Sequence, residues 1–220
     1  MLPDSGFLSN ASQDLRDLMG RAATEVTLKD GETLFDQGDE GDTLYAVTEG
    51  AIELSVLSRE GRKLSLDILR PGDMFGEIAL FDPSLRTAAA VAVGETHLLS
   101  VRNADLLREL RHAPELAVDL VKLAGQRMRW MNRQLSEQVF LPMPSRLARK
   151  ILHLTEHEKT DQPMLDMSQT DLAEFVGATR EAVSKTLSTW KKRGVVENAK
   201  GGLKILDSSA LRAMADLDEL

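Results

Sequence analysis

The chain has 220 residues, 42% hydrophobic content, a formal net charge of −8 and no cysteine. This length allows two modest domains, and the missing cysteines exclude disulfides, thiolate catalysis and cysteine-bound iron–sulfur or zinc centres. No run of 18 apolar residues occurs and the first ten residues do not resemble a signal peptide, so we expect a cytoplasmic protein that does not enter a membrane.

The negative net charge conceals a basic segment. Residues 1–144 carry 15 Lys+Arg and 23 Asp+Glu, a net of −8, whereas residues 145–205 carry 11 and 8, a net of +3. Residues 206–220 carry 1 and 4, a net of −3. Because the local charge is what meets phosphate, this division places a nucleic-acid-binding region in the last third of the chain.

The first half of the chain has the pattern of an antiparallel β-protein. A short helix over residues 12–20 is followed by short runs that alternate apolar and polar residues, separated by glycine-containing turns. Glu49-Gly50 and Val93-Gly94 are two of the predicted turns. The predicted strands are 24–28, 43–48, 52–57, 64–69, 88–93 and 97–101. Many short strands with glycine turns predict a jelly-roll-like β-roll.

Helical spacing begins at Asn103, with a short helix to Leu110. Pro114 suits the first position of a second helix, which meets no strong breaker before Pro142 and would extend about 40 Å. Apolar residues step along it with heptad spacing, and a second apolar row lies on an adjacent face. Two rows favour simultaneous packing on the roll and on a second copy of the chain, although one helix packed on its own domain is the alternative. The predicted dimer seam is Val121, Ala124, Met128, Met131 and Leu135; the second row is Leu116, Leu120, Leu123 and Trp130.

Pro142-Met143-Pro144 predicts a stiff break and a domain boundary. Further helices are expected over 146–157, 168–175 and 179–193, followed by a β-hairpin at 194–205 and an acidic tail. The prediction is therefore an α+β protein with a β-roll (1–112), a dimerisation helix (113–141) and a winged helix-turn-helix domain (142–220).

The stretch from Pro71 to Phe81, followed by Arg86 and Thr87, has the chemistry of a cyclic-phosphate site. Gly76 allows close approach of backbone, and the amides near Glu77 to Ala79 can form an anion nest. Arg86 offers a planar fork for phosphate oxygens, and the Glu77 carboxylate can accept a bond from a ribose 2′-hydroxyl. Thr87 can add a hydroxyl.

These motifs resemble those of a known family. Gly38 to Tyr45, Gly50, Phe75-Gly76-Glu77 and Arg86-Thr87-Ala88 resemble the cyclic-nucleotide-binding domain, and residues 15–206 as a whole resemble the Crp/Fnr family of transcriptional regulators. The resemblance implies a cyclic nucleotide effector, cyclic AMP before cyclic GMP. The residues that it implies at the effector are Gly76, Glu77, Ile78, Ala79, Arg86, Thr87 and, over the base and partly from the other subunit, Met131 and Asn132. The family prototype has two hydroxyl residues at the last two positions.

Residues 169–187 have helix-turn-helix spacing, with Ala173 small enough for close helix approach and Gly177 suited to the turn. On the following helix Arg180 can pair with guanine, Glu181 can accept from cytosine, and Lys185 can reach a base or a phosphate. The family resemblance implies a palindromic, TGTGA-like site in double-stranded DNA. The candidate DNA-binding residues are Gln169, Thr170, Thr179, Arg180, Glu181, Ser184, Lys185 and Lys200.

Other interpretations remain open on the sequence alone. The pocket could be vestigial, with Glu77 and Arg86 as a buried ion pair and constitutive DNA binding, or the effector could be haem. The chain could instead regulate a protein partner. Contact with RNA polymerase through residues 158–164 is a further expectation from the family. An enzyme is not expected, because a nucleophile elbow, a P-loop motif and a metal cluster are missing; His153 and His157, four residues apart, have no completing motif, so no metal is expected.

Overall fold

The computed structural model describes residues 9–78, 84–156, 160 and 162–216. Its contacts divide the chain into two units, residues 1–62 with 66–131 and residues 63–65 with 132–220. The architecture is α+β, as predicted: an antiparallel sheet, a long helix and a helical C-terminal unit with a β-hairpin. Within the described ranges no helix is both long and apolar enough to cross a membrane.

The N-terminal unit is built around one sheet. Its main path has the order β1-β8-β4-β5, with β2 added on β8 and β6 on β4, while β3 and β7 form a separate two-stranded ladder. The described elements are α1 (Gln13–Ala22), β1 (Thr24–Leu28), β2 (Thr33–Phe35), β3 (Glu40–Gly41), β4 (Thr43–Leu57), β5 (Lys63–Leu69), β6 (Met74–Phe75), β7 (Ser84–Leu85), β8 (Ala89–Arg102), α2 (Asn103–His112) and α3 (Leu116–Phe140).

Strands β4 and β8 are longer than predicted, and the prediction of turns at Gly50 and Gly94 is wrong. Both glycines have positive φ, 76° and 77°, but the two strands continue through them with a shift of register. Glu49 stands opposite His97 and Ala51 opposite Val93, so three residues of β8 face one of β4. A bulge of this kind uses glycine's conformational freedom without ending the pairing, which is why the sequence pattern resembled a turn.

The helices of this unit cover one part of the roll. Leu15 of α1 and Leu106 of α2 are fully buried in a cluster with three residues from the first turns of α3. Those three, Leu116, Leu120 and Leu123, belong to the second apolar row, so the prediction that this row packs on the roll is confirmed for them; Trp130, its fourth member, is not part of the cluster. Helix α3 begins two residues later than expected, at Leu116.

The C-terminal unit packs four helices beside a small sheet of order β10-β11-β9. Strand β9 was not predicted, since it lies at the edge of the expected loop 158–164. Apolar side chains from every helix of this unit are buried, among them Ile151, Leu172, Val183 and Leu211. The elements are α4 (Met143–Thr155), β9 (Met164–Leu165), α5 (Gln169–Val176), α6 (Arg180–Lys192), β10 (Val196–Ala199), β11 (Gly202–Ile205) and α7 (Ser208–Asp216).

The break between α3 and α4 is shorter than the proline motif suggested. Pro142 precedes α4 as its N-cap and Pro144 lies inside the first turn, a position where proline removes no helical hydrogen bond. Three side chains of α4 also reach back to α3. Arg146 donates to the carbonyl of Gln138 at 2.7 Å, Arg149 to the carboxylate of Glu137 at 3.1 Å and Lys150 to the side-chain oxygen of Gln134 at 3.1 Å.

Candidate anion site and nucleic-acid interface

Arg86 is placed by its backbone. It follows β7, whose ladder with β3 aligns Glu40 with Leu85. The Arg86 amide donates to the carbonyl of Asp39 at 2.7 Å, and its own carbonyl accepts from Gly38 at 2.9 Å. These two bonds fix the backbone of the residue, which is only 9% exposed.

Two glycines make room for the guanidinium. A Cβ atom on Gly41 would lie 2.5 Å from Nε of Arg86, and one on Gly76 would lie 2.8 Å from NH1 and 2.7 Å from the carbonyl oxygen of Thr43. Gly76 also has φ of 77°, a region that L side chains rarely adopt. The close approach expected at Gly76 is therefore present, and the group that comes close is the guanidinium of Arg86.

The charge of Arg86 has no counterion among the residues that the structure describes. One terminal nitrogen donates to the carbonyl of Thr43 at 3.0 Å, and the guanidinium carbon lies 4.2 Å from the centre of the Phe35 ring and 5.6 Å from that of Tyr45. Nε and NH1 are buried without a hydrogen-bond partner. A buried, unsatisfied donor costs about 1–3 kcal/mol, more for a charged group, so this geometry suits a bound anion.

Glu77 pairs with a residue that the sequence analysis did not single out. Its Oε1 accepts from Nε of Arg127, on α3, at 3.2 Å, and the two side chains are 18% and 15% exposed. The guanidinium of Arg127 also lies 4.3 Å from the centre of the Trp130 ring. The alternative in which Glu77 and Arg86 form a buried ion pair is therefore wrong, because the carboxylate faces a different arginine.

The structure brings Gly76 and Arg86 together, and Glu77 follows Gly76 directly, whereas the other predicted ligand residues that it describes are exposed. Ile78 is 44% exposed and Thr87 is exposed; Met131 and Asn132 are exposed on α3. Ala79 lies outside the described residues.

The sequence analysis gave no role to the surroundings of Arg86. Gly41, Thr43 and Tyr45 belong to the run that carried the family resemblance, so that run was the signal that could have identified them. Phe35 gave no signal, since a single aromatic residue in a strand is ordinary core. Arg127 could only have been suspected from its helical spacing to Trp130.

Local rules account for the helix-turn-helix. Ser168 accepts from the Asp171 amide, and the Asp171 carboxylate accepts in return from the Ser168 amide, a complete capping box at the start of α5. Gly177 ends α5 in the left-handed conformation, with φ of 66°. Thr179 then caps α6 by accepting from the amide of Ala182. The predicted bounds of both helices are confirmed to within one residue.

Helix α6 has one buried and one exposed face. Val183 and Leu187 are buried in the unit, as expected. Arg180 and Lys185 form no ion pair within the described part of the chain, so their charges face solvent. Of the predicted DNA-binding residues, Gln169 is half-buried, and the exposed ones are Thr170, Thr179, Arg180, Glu181, Ser184, Lys185 and Lys200.

The predicted seam of α3 is largely exposed in the single chain. Val121 is 65% exposed, Met128 62% and Leu135 63%, with Met131 at 41% and Ala124 half-buried. Val121, Met128 and Leu135 are spaced seven residues apart, so these exposed apolar side chains form one stripe along the helix. Of the loop 158–164, in which contact with RNA polymerase was expected, residues 158, 159 and 161 lie outside the described residues, as does His157.

Family models match residues of both units of the chain. Residues 25–113 match the cyclic nucleotide-binding domain and residues 145–214 the Crp-like helix-turn-helix domain. The chain is 32% identical over 190 residues to a CRP-like cAMP-activated global transcriptional regulator of Mycobacterium tuberculosis, covering 84% of this chain and 85% of that protein.

Two relatives come from Thermus thermophilus. The cyclic AMP receptor protein of that organism is 32% identical over 185 residues, covering 84% of this chain and 85% of the relative. A solved CRP/FNR-family transcriptional regulator is 29% identical with a TM-score of 0.75, covering 88% of this chain and 98% of that structure. The Mycobacterium tuberculosis relative and the solved structure are both named as transcriptional regulators. Since the matched regions span both units and the curated relatives exceed 30% identity over most of their length, the chain belongs to the Crp/Fnr family of cyclic-nucleotide-binding transcriptional regulators.

Proposed function

We propose that the chain is a cyclic-AMP-responsive homodimer that reads a palindromic, TGTGA-like DNA site. The observation that carries this proposal is the buried guanidinium of Arg86. Two of its nitrogens lack a partner, and it rests on an aromatic ring instead of a carboxylate. A singly charged cyclic phosphate supplies both the missing counterion and the missing acceptors.

Cyclic AMP is the first choice of effector and cyclic GMP the second. The relatives from Mycobacterium tuberculosis and Thermus thermophilus are named for cyclic AMP, which supports adenine. Asn132 carries both a donor and an acceptor and can pair with either purine, so it is our candidate for the residue that distinguishes them.

The homodimer is supported by the exposed stripe on α3. Val121, Met128 and Leu135 repeat at heptad spacing on a face adjacent to the row that packs on the roll. A second copy of α3 would cover this stripe with the same residues, as a two-fold interface requires. The two copies of α6, the proposed DNA-recognition helix, would then meet the two halves of a palindrome.

Gating is proposed as a population shift. The ligand needs only to bind the DNA-competent arrangement of the dimer better than its alternatives, and DNA binding then tightens by the same coupling free energy. Met131 and Asn132 lie on the helix that carries the dimer stripe, so a base that contacts them would couple pocket occupancy to dimer geometry.

Calorimetric titration with cyclic AMP and with cyclic GMP tests the effector. We expect both to bind the wild-type protein, Arg86→Ala to abolish both signals, and Asn132→Ala mainly to change their ratio. Arg108→Ala is the matched control, because Arg108 is an exposed arginine of the same unit that pairs with Asp105. Binding that survives Arg86→Ala would overturn the assignment of the phosphate site.

Fluorescence anisotropy with a labelled palindromic duplex tests the gating. We expect affinity to rise on addition of cyclic AMP in the wild-type protein and to stay constant in Arg86→Ala. Equal affinities with and without ligand in the wild-type protein would instead support a constitutive DNA-binding protein with a vestigial pocket.

A further inference from the structure

Trp130 has no role in the function proposed above, although it lies beside the candidate ligand site. It is three residues after Arg127 on α3, which places both side chains on the same face of the helix. The guanidinium carbon of Arg127 is 4.3 Å from the centre of the Trp130 ring. Tryptophan gives the strongest cation–π contact among the aromatic side chains, and the contact is worth more where water is excluded.

Arg127 is held on two sides. The indole covers the face of its guanidinium, and Nε donates to Oε1 of Glu77 at 3.2 Å. Both members of this ion pair are largely shielded from solvent, at 15% and 18% exposed. Because the guanidinium is planar, stacking on a ring restricts the plane in which its N–H groups point.

The ion pair occupies one of the two carboxylate oxygens of Glu77. A free arginine and a carboxylate commonly form a two-bond fork that uses both oxygens. Here only Oε1 accepts from Arg127, and Oε2 has no hydrogen bond to any residue that the structure describes. The remaining oxygen is therefore able to accept a bond from a hydroxyl group of a ligand.

We propose that Trp130 is a positioning residue of the ligand site. By stacking on Arg127 it keeps the guanidinium on one oxygen of Glu77 and so reserves the other for the ribose 2′-hydroxyl. This inference rests on the proposed function, since it concerns how the same site recognises its ligand. It predicts that removing the indole ring weakens discrimination for the hydroxyl and not binding in general.

The test compares two probes, cyclic AMP and 2′-deoxy cyclic AMP, by calorimetric titration of the full chain. We expect the wild-type protein to prefer the hydroxylated probe. In Trp130→Leu, affinity for cyclic AMP should fall about threefold to tenfold while affinity for the deoxy probe changes little, so that the preference is reduced. Trp130→Phe keeps a ring under Arg127 and should restore most of the preference.

Arg129→Ala is the matched control, because Arg129 is exposed on the same helix and forms no ion pair with a described residue. Equal losses for both probes in Trp130→Leu would indicate a merely structural role and overturn the inference, as would an unchanged preference. If the wild-type protein binds neither probe, the proposed function fails and this inference fails with it. Wild-type binding without a changed ratio would remove the inference alone.

Discussion

The guanidinium carbon of Arg86 lies 4.2 Å from the centre of the Phe35 ring, so the buried charge rests on a π face. That ring is itself held by Tyr45, 5.9 Å away, and Phe75, 6.1 Å away. An aromatic face stabilises a cation by about 0.5–2 kcal/mol without neutralising it. The arrangement therefore leaves the charge available, at some expense to the stability of the ligand-free protein.

The loss of stability caused by the buried charge of Arg86 is measurable. Arg86→Met keeps much of the side-chain volume on the Phe35 ring and removes the buried cation. We expect the ligand-free variant to be more stable than the wild type by about 1–4 kcal/mol and to bind no cyclic nucleotide, because replacing an unpaired buried charge with an apolar group is favourable. Urea denaturation measures the stability. A destabilised Arg86→Met would show that Arg86 supports the fold, whereas exposed Arg108→Met should change little.

Gly61 and Gly76 have the same φ of 77°, so alanine substitutions at these two positions distinguish the cost of backbone strain from the cost of crowding at the site. A Cβ on Gly61 meets no atom within 4 Å, whereas one on Gly76 meets NH1 of Arg86 at 2.8 Å and the Thr43 carbonyl at 2.7 Å. Gly61→Ala should therefore cost only the strain, about 1–2 kcal/mol, and keep ligand affinity. Gly76→Ala should cost more and lose ligand binding. Equal affinities in the two variants would contradict the close approach described here.

Substitutions of Arg180 and Lys200 should change DNA binding in different ways. Arg180→Ala should cost about 1–3 kcal/mol on the palindromic site and relax the preference at one base pair, because a two-bond contact to guanine is lost. Lys200→Ala should weaken binding to all sequences alike and reduce the salt dependence by about one counterion. Anisotropy titrations on matched and scrambled duplexes at several salt concentrations distinguish the two. A salt slope unchanged in Lys200→Ala would remove it from the phosphate contacts.

The exposed stripe on α3 gives a prediction for assembly. Met128→Glu places a charge at a position that is 62% exposed in the single chain and at the centre of the proposed dimer contact. We expect sedimentation analysis to show a dimer for the wild-type protein and a monomer for Met128→Glu, since burying an unpaired charge is costly. Arg129→Glu, on a neighbouring face of the helix, should remain dimeric. A wild-type monomer would overturn the proposed dimer.

Local signals in the sequence predicted most of the C-terminal unit. Ser168, Gly177 and Thr179 act on residues within five positions, so their capping roles follow from the sequence pattern. The signals failed where a local pattern has two solutions. The sequence around Gly50 is typical of a turn, whereas its conformation is that of a bulge. Pairing with the neighbouring strand decides which of the two forms.

The site depended on contacts between distant residues, which no local pattern contains. Glu77 and Arg127 are 50 residues apart in sequence, so their pairing becomes visible only once α3 has packed on the roll. Phe35 and Arg86 are likewise distant in sequence, and they meet only in the folded roll. The family resemblance identified Arg86 and Glu77 as candidate ligand residues, but not the residues that contact them.

Three side chains connect the two helices on either side of the break at Leu141 and Pro142. Arg146, Arg149 and Lys150 fasten α4 to residues 134–138, and α4 in turn contacts α5 and α6. Because these hydrogen bonds span the break, α3 and α4 are held together more rigidly than a flexible linker would hold them. We therefore expect a rotation of the last turns of α3 to move α4 and, through its contacts, the proposed DNA-recognition helix α6, even though α3 and α4 are not one continuous helix.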